Sequence, residues 1–515
     1  MEHLTEGAAM RPLLTPAEMA GADRATIDSG TPAELLMDRA GRALARAAIR
    51  ATGGRYGKKV VVVCGKGNNG GDGLVAARVL HREGVGVKCT AIDSMDDARG
   101  AVAHHLELLR REAVSVEPFS RESLDEADVV IDAIFGTGFR GRVEGRAGDA
   151  IESINERTVP VVAADIPSGV NGETGKTEGS AVRAAVTVAM GAEKIGTAVG
   201  DGATHAGRVE VADIGIEIPP VNTHVVEEAD VRGVLPRRSP DAHKRSGGSV
   251  ALLVGSQGMT GAAVLSAQGA ARMGAGYVTV GGTRSVDEVV ATSLPEVLST
   301  IVAEIALSAD SLKSFESVLG RADALGLGPG LGTGEGQLAL VESTLVQVDL
   351  PLVLDADALN ILAKRTESLE RREAPTLITP HPGELARLLE VTTAAIQDNR
   401  LGFARRAAGR FGCVVLLKGF RTVVAGPQGS AVVVPTGGPE LATAGTGDVL
   451  TGAVSALLAA GLEPFEAAWA SAYVHGCAGE LAVSNRGITG VAAGDVADAL
   501  GPAASRIQLF GIKPS

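Results

Sequence analysis

Short runs of consecutive apolar residues alternate along the chain with longer segments in which the apolar positions repeat at helical spacing. The first run, Lys59–Cys64 (KVVVVC), precedes a predicted helix over residues 74–82, and residues 127–135, 160–165 and 249–254 are similar strand-like runs. Buried strands that alternate with helices are typical of parallel sheets covered by helices on both faces. The pattern predicts an α/β fold, with a three-layer, Rossmann-like arrangement in the N-terminal half.

The alternation is interrupted near the middle of the chain. Prolines at 219–220 are followed by an acidic run over residues 227–230, and we predict a linker that ends near Pro236. A chain of 515 residues is also too long for one ordinary hydrophobic core. We therefore predict two α/β domains, residues 1–225 and residues 226–515.

The predicted strands of the N-terminal half end in polar, glycine-rich turns. Residues 65–73 (GKGNNGGDG) follow the first strand, residues 136–142 (GTGFRGR) follow the second, and Asp165 ends the third. Ligands of open parallel sheets bind outside the carboxyl ends of the strands, so these turns are expected to face one crevice. Their backbone amides suit a phosphate group. Residues 138–145 (GFRGRVEG), a glycine-rich loop with two arginines, could close over phosphates, or they could form a solvated surface loop.

Oxygen-bearing side chains accompany these turns. Asn69, Asp132, Asp165 and Ser168 each lie close to a predicted strand end, and together they could supply oxygen ligands to a cation. Each acid alone could instead be a helix cap or a turn former. The occurrence of three such turns in one half of the chain favours a binding site.

Residues 443–452 (TAGTGDVLTG) carry the clearest chemical signal in the C-terminal half. Gly445 and Gly447 precede an Ala/Leu-rich segment, residues 449–460, that is predicted to be a buried helix. Unpaired N–H groups and the positive end of the helix dipole attract an anion, phosphate above all. A carboxylate at Asp448 would repel that anion unless it has a task, such as taking a proton from an attacking hydroxyl group. The alternative is an ordinary helix start with an acid in its first turn.

Other turns of the C-terminal half fit a phosphate-handling site. Residues 418–422 (KGFRT) follow a predicted strand and could clamp a nucleotide phosphate, or they could form a hairpin with solvated charges. His381, between two prolines, could contact a ligand or only shape its turn. No Walker A pattern is present, which excludes the P-loop class as far as motifs can. This half is predicted to be a kinase-like α/β domain.

Composition restricts the class of partner and the cellular compartment that we expect for the protein. The net charge of -13 argues against non-specific nucleic-acid binding. Four dispersed cysteines without a Cys-x-x-Cys pair indicate a reducing compartment rather than a disulfide framework or a zinc site. We recognise no secretory signal, and no apolar run approaches about 18 residues, so we expect no membrane span. We expect a soluble, cytoplasmic homo-oligomer.

In combination and order, these motifs resemble those of the bifunctional NAD(P)H-hydrate repair enzymes. Residues 1–225 are similar to the NAD(P)H-hydrate epimerase domain, and residues 226–505 resemble the ADP-dependent NAD(P)H-hydrate dehydratase, which has a ribokinase-like fold. The shared N-terminal motifs are GKGNNGGDG (65–73), DAIFGTGFRG (132–141) and DIPSGV (165–170). The shared C-terminal motifs are HKRSGG (243–248), GSQGMTGAAVL (255–265), GLGPGLG (326–332), DADALN (355–360), TPHPGE (379–384), LKGFRT (417–422) and TAGTGD (443–448).

The resemblance assigns residues to two sites. In the first domain it implies that the hydrated dinucleotide is held by Asn68, Asn69, Gly70, Gly71, Asp72, Gly136, Thr137, Gly138, Phe139, Arg140, Gly141, Arg142 and Asp165. It also implies a potassium ion bound by Asn69, Asp132 and Ser168. In the second domain it implies substrate contacts at Ala263, Gly330, His381 and Asp448. It implies nucleotide contacts, with Mg²⁺ accompanying ADP, at Lys418, Gly419, Phe420, Arg421, Thr422 and Gly447.

The resemblance further implies a repair reaction. Hydrated NADH or NADPH carries a hydroxyl group at C6 of the reduced nicotinamide ring, as R and S epimers. The first domain would interconvert the epimers, with Asp165 as the acid/base. In the second domain Asp448 would take the hydroxyl proton of the S epimer as its oxygen attacks the terminal phosphoryl group of ADP. Elimination of phosphate would then give NAD(P)H, AMP and phosphate.

Two alternative functions remain open at the level of sequence. The C-terminal half could be a small-alcohol kinase of the hydroxymethylpyrimidine or thiazole type, which would leave the N-terminal half without a purpose. The N-terminal half could also be a binding or scaffold domain without chemistry of its own. The choice between ADP and ATP stays open as well.

Overall fold

The computed structural model describes residues 10–241, 243–363 and 365–509, and the chain divides into two compact units. Of the described residues, one unit comprises Pro12–Thr223, and the other comprises those from His224 onward together with Met10 and Arg11. Each unit is described separately below.

The elements of the first part of the chain alternate between strands and helices. In chain order they are β1 (Arg11–Leu14), α1 (Pro16–Asp28), α2 (Ala33–Thr52), β2 (Lys59–Cys64), α3 (Asn68–Arg82), β3 (Gly86–Ala91), α4 (Gly100–Arg111), β4 (Val116–Pro118), β5 (Val129–Ala133), α5 (Gly145–Asn155), β6 (Val161–Ala164), β7 (Val186–Met190), β8 (Glu193–Lys194), α6 (Ile195–Ala198), α7 (Gly202–His205), β9 (Arg208–Ala212) and β10 (Thr223–Val225). A short 3₁₀ turn covers Arg121–Leu124.

The sheet of this unit is parallel and has the order β4-β3-β2-β5-β6-β7-β9. Alternate residues of β2 pack on opposite faces: Val62 belongs to the apolar cluster of Leu44 and Leu74, and Val63 belongs to that of Ile151. These partners lie in α2, α3 and α5, so the unit has three layers. The strand order reverses between β2 and β5, which is where open parallel sheets bind their ligands.

The second part of the chain repeats the alternation. In chain order its elements are α8 (Glu228–Val234), β11 (Ser249–Leu253), α9 (Thr260–Arg272), β12 (Tyr277–Thr283), α10 (Arg284–Ser293), β13 (Leu298–Ala303), α11 (Ala309–Leu319), β14 (Ala324–Leu327), α12 (Glu335–Gln347), β15 (Leu352–Leu354), α13 (Asp357–Leu362), α14 (Glu367–Glu370), β16 (Thr376–Ile378), α15 (Pro382–Leu389), α16 (Thr393–Asp398), α17 (Arg400–Phe411), β17 (Val414–Leu417), β18 (Thr422–Ala425), β19 (Ala431–Val434), α18 (Thr446–Ala459), α19 (Pro464–Arg486) and α20 (Ala493–Leu509).

The sheet of the second unit contains the strand series β13-β12-β11-β14-β15-β16-β17-β18-β19. Pairing is parallel up to β17, and β18 and β19 add an antiparallel end. The order reverses between β11 and β14, so the turns after these strands are expected to border a ligand. The predicted α/β class is confirmed for both halves. In the described ranges, no helix combines the length and hydropathy that a membrane span requires.

Two predictions of local structure are wrong. The acidic run over residues 227–230 is not a linker but the start of α8, because Glu227 and Asp230 form a reciprocal capping box. The helix predicted from Leu74 begins earlier, at Asn68. Its glycines replace side chains that could not fit: a Cβ at Gly70 would lie 1.8 Å from the carbonyl oxygen of Gly65. The glycine-rich motif is therefore largely the first turn of α3.

Helices α9 and α18 cross with their backbones in close contact, and glycine makes this crossing possible. A Cβ at Gly452 would lie 1.9 Å from the carbonyl oxygen of Ser266, and one at Gly269 would lie 2.3 Å from that of Val449. We expect Gly452→Ala to destabilise the second unit by about 3 kcal/mol, since backbone atoms must move apart. Trp469, the only tryptophan, is buried in α19 of this unit, so its fluorescence during urea unfolding reports the change.

The matched control for this prediction is Gly409→Ala. Gly409 lies inside α17 of the same unit, and a Cβ there would meet no atom within 4 Å. Alanine restricts the unfolded chain more than glycine, so this variant is expected to gain about 0.5–1 kcal/mol. Equal urea midpoints for Gly452→Ala and the parent would contradict the role of Gly452.

Candidate active sites

A cavity of about 610 Å³ opens at the strand-order reversal of the first unit. Its wall contains residues 65–69 after β2, residues 134–139 after β5, and Asp165 after β6. Met19 of α1 and Met37 of α2 are among the apolar residues of the wall. The three predicted turns therefore meet at one cavity, whose wall contains both polar and apolar residues and suits a molecule with both characters.

Asp165 is held in the cavity wall by an unusual backbone conformation and a buried cation. Its φ of 65° lies in the left-handed region, which is uncommon for a residue with a side chain. Its Oδ1 accepts hydrogen bonds from the N–H of Met190 at 2.9 Å and from Nζ of Lys194. Strained conformations of this kind concentrate at functional sites.

Lys194 is a residue that the sequence did not single out. It is fully buried, and its Nζ also donates to the carbonyl oxygens of Met190 at 2.9 Å and Ala192 at 2.8 Å. Because burying a charge is costly, a lysine fixed in this way beside Asp165 indicates a built site. The signal was present in the sequence as a charged pair, Glu193 and Lys194, inside an otherwise apolar stretch.

A second acid, Asp72, lines the same cavity. Burial raises the pKa of its carboxyl group well above the ordinary value, and the negative charges of Asp165 and Asp23 raise it further, against the opposing effect of Lys194. Asp72 therefore keeps its proton to a higher pH than a solvated aspartate. Asp23 and Asp93 also lie in the cavity wall, and burial raises the pKa of Asp23 as well. The cavity therefore contains Asp165, which is paired with a cation, and other acids, of which burial favours the neutral form of Asp72 and Asp23.

The three predicted cation ligands converge behind this wall, around the backbone of Phe135. Ser168 donates its Oγ–H to Oδ1 of Asp132 at 2.6 Å, and the N–H of Phe135 donates to Ser168 Oγ at 2.8 Å. Asn69 donates its Nδ2 to the carbonyl oxygen of Phe135 at 2.9 Å. Asp132 is fully buried, and burial raises its pKa to about 6, although hydrogen bonds from Ser168 and Ile134 oppose this.

The donor set around Asp132 is chemically compatible with a hard cation. The hydrogen-bond donors described for Asp132 are hydroxyl and backbone N–H groups, which carry no formal positive charge. A buried carboxylate without a cationic side chain favours a bound cation as its counter-charge. Carboxylate, hydroxyl, amide and backbone carbonyl oxygens are the ligands that such hard cations prefer.

The remaining residues predicted for this site differ in their position. Gly136, Thr137, Gly138 and Phe139 lie in the cavity wall together with Asn68 and Asn69. Gly70 and Gly71 pack against Gly65 and Met37 inside the protein. Arg140, Gly141 and Arg142 are exposed; Arg140 donates to the carbonyl oxygens of Thr137 and Phe139, and Arg142 pairs with Glu144.

In the second unit, α18 begins as the motif predicts. Gly445 is its N-cap with a φ of 90°, and no side chain caps the helix. A Cβ at Gly445 would lie 2.5 Å from a methyl carbon of Leu265, but the stronger reason for glycine here is the left-handed φ. The N–H of Thr446 donates to the carbonyl oxygen of Thr443 at 3.4 Å, but those of Gly447 and Asp448 have no partner among the hydrogen bonds described and are open to an anion. Asp448 is the third helical residue and stands beside them.

Four charged side chains gather at this helix start. Lys418, which follows β17, contacts Oδ1 of Asp355 at 2.6 Å and lies 4.0 Å from Oε2 of Glu384. Its Nζ would be 3.3 Å from a Cβ placed on Gly447. Lys418 therefore brings a positive charge to the place where an anion would bind, among three carboxyl groups, those of Asp355, Glu384 and Asp448.

Two of these carboxyl groups titrate near neutrality. Burial raises the pKa of Asp448 to about 7; Asp355 adds to this, Lys418 opposes it, and Asp357 contributes a smaller increase. Burial likewise raises the pKa of Glu384 to about 7, against the effect of Lys418. A carboxylate with such a pKa is well matched to accept a proton at neutral pH.

His381 has a clear structural role beside this cluster. It caps α15, because its Nδ1 accepts from the N–H of Gly383 at 3.0 Å, and its own N–H donates to Oε2 of Glu384 at 2.8 Å. Its Nε2 lies 3.4 Å from Oε1 of Glu384, and its ring is half exposed. The outer face of the imidazole is therefore available for a ligand.

The other two predicted substrate residues differ in their exposure. Gly330 has a φ of 62°, and a Cβ there would lie 2.8 Å from Cβ of Ala262. Ala263 is fully buried in the core, and its methyl group packs under Gly255. Of the two neighbouring alanines, the one that approaches Gly330 is Ala262.

The predicted nucleotide segment, residues 418–422, is the turn from β17 to β18. Arg400, which is buried, donates to the carbonyl oxygens of Leu417 and Lys418 at 3.2 Å and would contact a Cβ on Gly419 at 2.8 Å. Phe420 is half exposed, and Thr422 donates its hydroxyl to the carbonyl oxygen of Gly419 at 3.0 Å. Arg421 lies over the ring of Phe420, 5.7 Å from its centroid. Hydrogen bonds from Arg400 and Thr422 thus hold this turn in place, and its Lys418 lies next to Gly447.

Two family models match the chain. The NAD(P)H-hydrate dehydratase family matches residues 250–501, and the family described as YjeF-related protein N-terminus matches residues 33–196.

Curated relatives match over nearly the whole chain. The bifunctional NAD(P)H-hydrate repair enzyme Nnr of Moorella thermoacetica is 41% identical over 506 residues, which cover 95% of this chain and 96% of that protein. The enzyme of the same name from Salinibacter ruber is 39% identical over 499 residues, 91% of this chain and 92% of that protein. A crystal structure of a ribokinase-like superfamily protein from Enterococcus faecalis is 22% identical with a TM-score of 0.50 and covers 57% of this chain and 99% of that chain. This likeness supports the predicted ribokinase-like fold.

Proposed function

The chain belongs to the family of bifunctional NAD(P)H-hydrate repair enzymes, and from that premise we propose how its residues carry out the two reactions. The first unit epimerises R and S NAD(P)H-hydrate, and the second dehydrates the S epimer at the expense of ADP, giving NAD(P)H, AMP and phosphate. The observation that carries the second assignment is Asp448, a carboxyl group with a pKa of about 7 beside an open helix N-terminus.

In the first unit the hydrated nicotinamide occupies the cavity at the strand-order reversal. C6 carries both a hydroxyl group and the ring nitrogen, so its configuration inverts if the C6–N bond opens to an aldehyde and closes on the other face. Asp165, paired with Lys194, accepts the hydroxyl proton, and Asp72 donates a proton to the departing ring nitrogen. The reverse transfers close the ring. Asp72 suits the acid role because burial favours its neutral form.

In the second unit the hydroxyl oxygen of the S epimer attacks the terminal phosphoryl group of ADP. Asp448 accepts the hydroxyl proton, and the N–H groups at the start of α18 stabilise the charge that develops on the phosphoryl oxygens. Lys418 supports the same phosphate from the β17–β18 turn. Phosphate leaves far more readily than hydroxide, so loss of the C5 proton and of phosphate restores the ring double bond. His381 and Gly330 border the nicotinamide.

Asn69, Asp132 and Ser168 are proposed to hold a potassium ion in the first unit, with the carbonyl oxygen of Phe135 as a further ligand. The ion supplies the counter-charge of Asp132 and stabilises the turn that carries Gly136 and Thr137. We expect epimerisation to slow by about tenfold when K⁺ is replaced by tetramethylammonium, because that cation is too large for the cluster. Dehydration of the S epimer should not change.

The potassium prediction has a direct control in Asp132→Asn. This variant lacks the buried charge, so its epimerisation rate should be low and should no longer respond to K⁺. Thermal unfolding in K⁺ and in tetramethylammonium supplies a readout apart from activity, since a bound ion stabilises the folded state. If the parent protein has the same epimerisation rate and the same melting temperature in K⁺ and in tetramethylammonium, the proposed potassium site is wrong.

The remaining expectations concern partners and location. Mg²⁺ is proposed to arrive bound to the phosphates of the nucleotide. The free, mostly buried cysteines suit a reducing, cytoplasmic setting. The preference for ADP over ATP and the formation of a homo-oligomer stay predictions from the family resemblance.

The two activities can be tested separately on the full-length protein. For the epimerase, a sample of NADH-hydrate enriched in the S epimer is incubated with the protein in the absence of nucleotide. The R and S epimers are then resolved by chromatography at successive times. Return to the equilibrium mixture faster than in a protein-free control supports the epimerase. A rate equal to that control would leave the first unit as a binding domain.

A further inference from the structure

Asp355 lies at the carboxyl end of β15 and is almost completely buried, at 1% exposure. Both of its carboxylate oxygens are engaged. Oδ1 accepts from Nζ of Lys418 at 2.6 Å, and Oδ2 accepts from Oγ1 of Thr451 at 2.7 Å. One carboxylate thus connects the β17–β18 turn to helix α18.

These two partners belong to the two segments that surround the expected phosphate position. Lys418 opens the nucleotide turn, and Thr451 lies one helical turn after Gly447, whose carbonyl oxygen its hydroxyl also contacts at 3.2 Å. A lysine side chain has four rotatable bonds, and its charge is not positioned unless a partner fixes it. Asp355 is the partner that holds the ammonium group 3.3 Å from the Cβ position of Gly447.

We propose that Asp355 is a positioning residue of the dehydratase site, which fixes Lys418 against the start of α18 so that both bind the same ADP phosphate. This inference rests on the proposed function, and it assigns to the DADALN motif a task that the predicted substrate and nucleotide contacts do not include. Asp355 acts through Lys418 and Thr451.

The charges around Lys418 support this role. Burial disfavours its ammonium group, but the carboxylates of Asp355 and Glu384 outweigh burial, so the pKa of Lys418 lies above its ordinary value. Lys418 therefore stays charged in a place where an unpaired lysine would tend to lose its proton. Loss of Asp355 would remove the nearest of these partners.

The same carboxylate acts on the proposed base. The charges of Asp355, Lys418 and Asp357 all act on the carboxyl group of Asp448. Lys418 also faces Glu384. His475 of α19 donates to the carbonyl oxygen of Thr446 in the first turn of α18 at 3.0 Å, and burial lowers the pKa of His475 to about 4, so it is neutral. Asp355 raises the pKa of Asp448. If Asp355 is neutralised, Asp448 should stay deprotonated to lower pH, so dehydration should extend to lower pH. A merely structural residue would not shift the pH profile in this way.

The test compares Asp355→Asn, Thr451→Val and Thr451→Ser in the full-length protein. Calorimetry with ADP and Mg²⁺ gives the affinity, and steady-state dehydration of the S epimer gives KM for ADP and the pH dependence of kcat. For Asp355→Asn we expect ADP binding weaker by about tenfold or more and an acid limb of kcat at lower pH. Thr451→Val should weaken ADP binding by about threefold, and Thr451→Ser should restore it.

The matched control is Thr344→Val. Thr344 is a buried helical threonine of the same unit whose hydroxyl donates to the carbonyl oxygen of Leu340 at 2.8 Å, away from the site. It should leave ADP affinity unchanged, and Trp469 fluorescence checks that every variant is folded. ADP affinity within twofold of the parent in Asp355→Asn, or equal losses in Thr344→Val and Thr451→Val, would overturn the proposal. A parent that binds ADP but does not dehydrate would contradict the proposed function alone, since calorimetry still tests Asp355.

Discussion

Asp448→Asn is expected to lower ADP-dependent dehydration of S-NADH-hydrate by about 10³-fold while epimerisation continues at the parent rate. The amide keeps the size of the carboxyl group but cannot accept the hydroxyl proton. Asparagine also removes a negative charge beside the phosphate site, so ADP should bind at least as tightly as in the parent. The measurement is the initial rate of NADH absorbance, with ADP affinity determined on the same protein.

The control for this prediction is Asp310→Asn. Asp310 is also an acid in the first turn of a helix, α11 of the same unit, but it is exposed and pairs only with Lys313 among the ion pairs described. Its replacement should leave both activities unchanged. Dehydration by Asp448→Asn within about tenfold of the parent would remove this residue from the role of base.

Asp165→Asn is expected to have the second large effect, a loss of epimerisation of about 10²–10³-fold with dehydration of the S epimer preserved. Asparagine adopts the left-handed conformation of Asp165 more readily than most residues, so the backbone can persist. The amide cannot take up the hydroxyl proton. Chromatographic exchange of the R and S epimers measures the effect.

A complication of this variant is the buried charge of Lys194, which loses its partner. Removing one member of a buried ion pair can destabilise a protein by several kcal/mol. The double variant Asp165→Asn/Lys194→Met removes both charges and should recover thermal stability without recovering epimerisation. Epimerisation by a folded Asp165→Asn within about threefold of the parent would exclude Asp165 as the acid/base.

The features of both sites that could be predicted from the sequence are the turns that follow strands and the start of a helix. Parallel strands bring their carboxyl ends to one edge, so the turns after Cys64 and Ala133 could be placed together without coordinates. The convergence of Asn69, Asp132 and Ser168 follows from the same rule. In the second unit, the glycines before Asp448 predicted a helix start with open N–H groups, which the structure contains.

The sequence did not predict which side chains would pair across long separations. Lys194 contacts Asp165 from a separate strand, and Asp355 contacts both Lys418 and Thr451, residues that lie 63 and 96 positions further along the chain. Such pairs depend on register and tertiary packing, which one sequence does not contain. The first turn of α3 was missed for a related reason. Its glycines weaken helix propensity, but Gly70 is required by the close contact of its backbone with Gly65.

The most direct test of the central claim is the recovery of NADH from a mixture of hydrated epimers. Purified full-length protein with K⁺, Mg²⁺ and excess ADP is followed by absorbance until the signal is constant, with a protein-free sample as the reference for spontaneous exchange. Two coupled activities predict complete recovery at a rate well above spontaneous exchange. Recovery that stops at the S fraction would contradict the epimerase assignment, and no recovery with either ADP or ATP would contradict the dehydratase assignment.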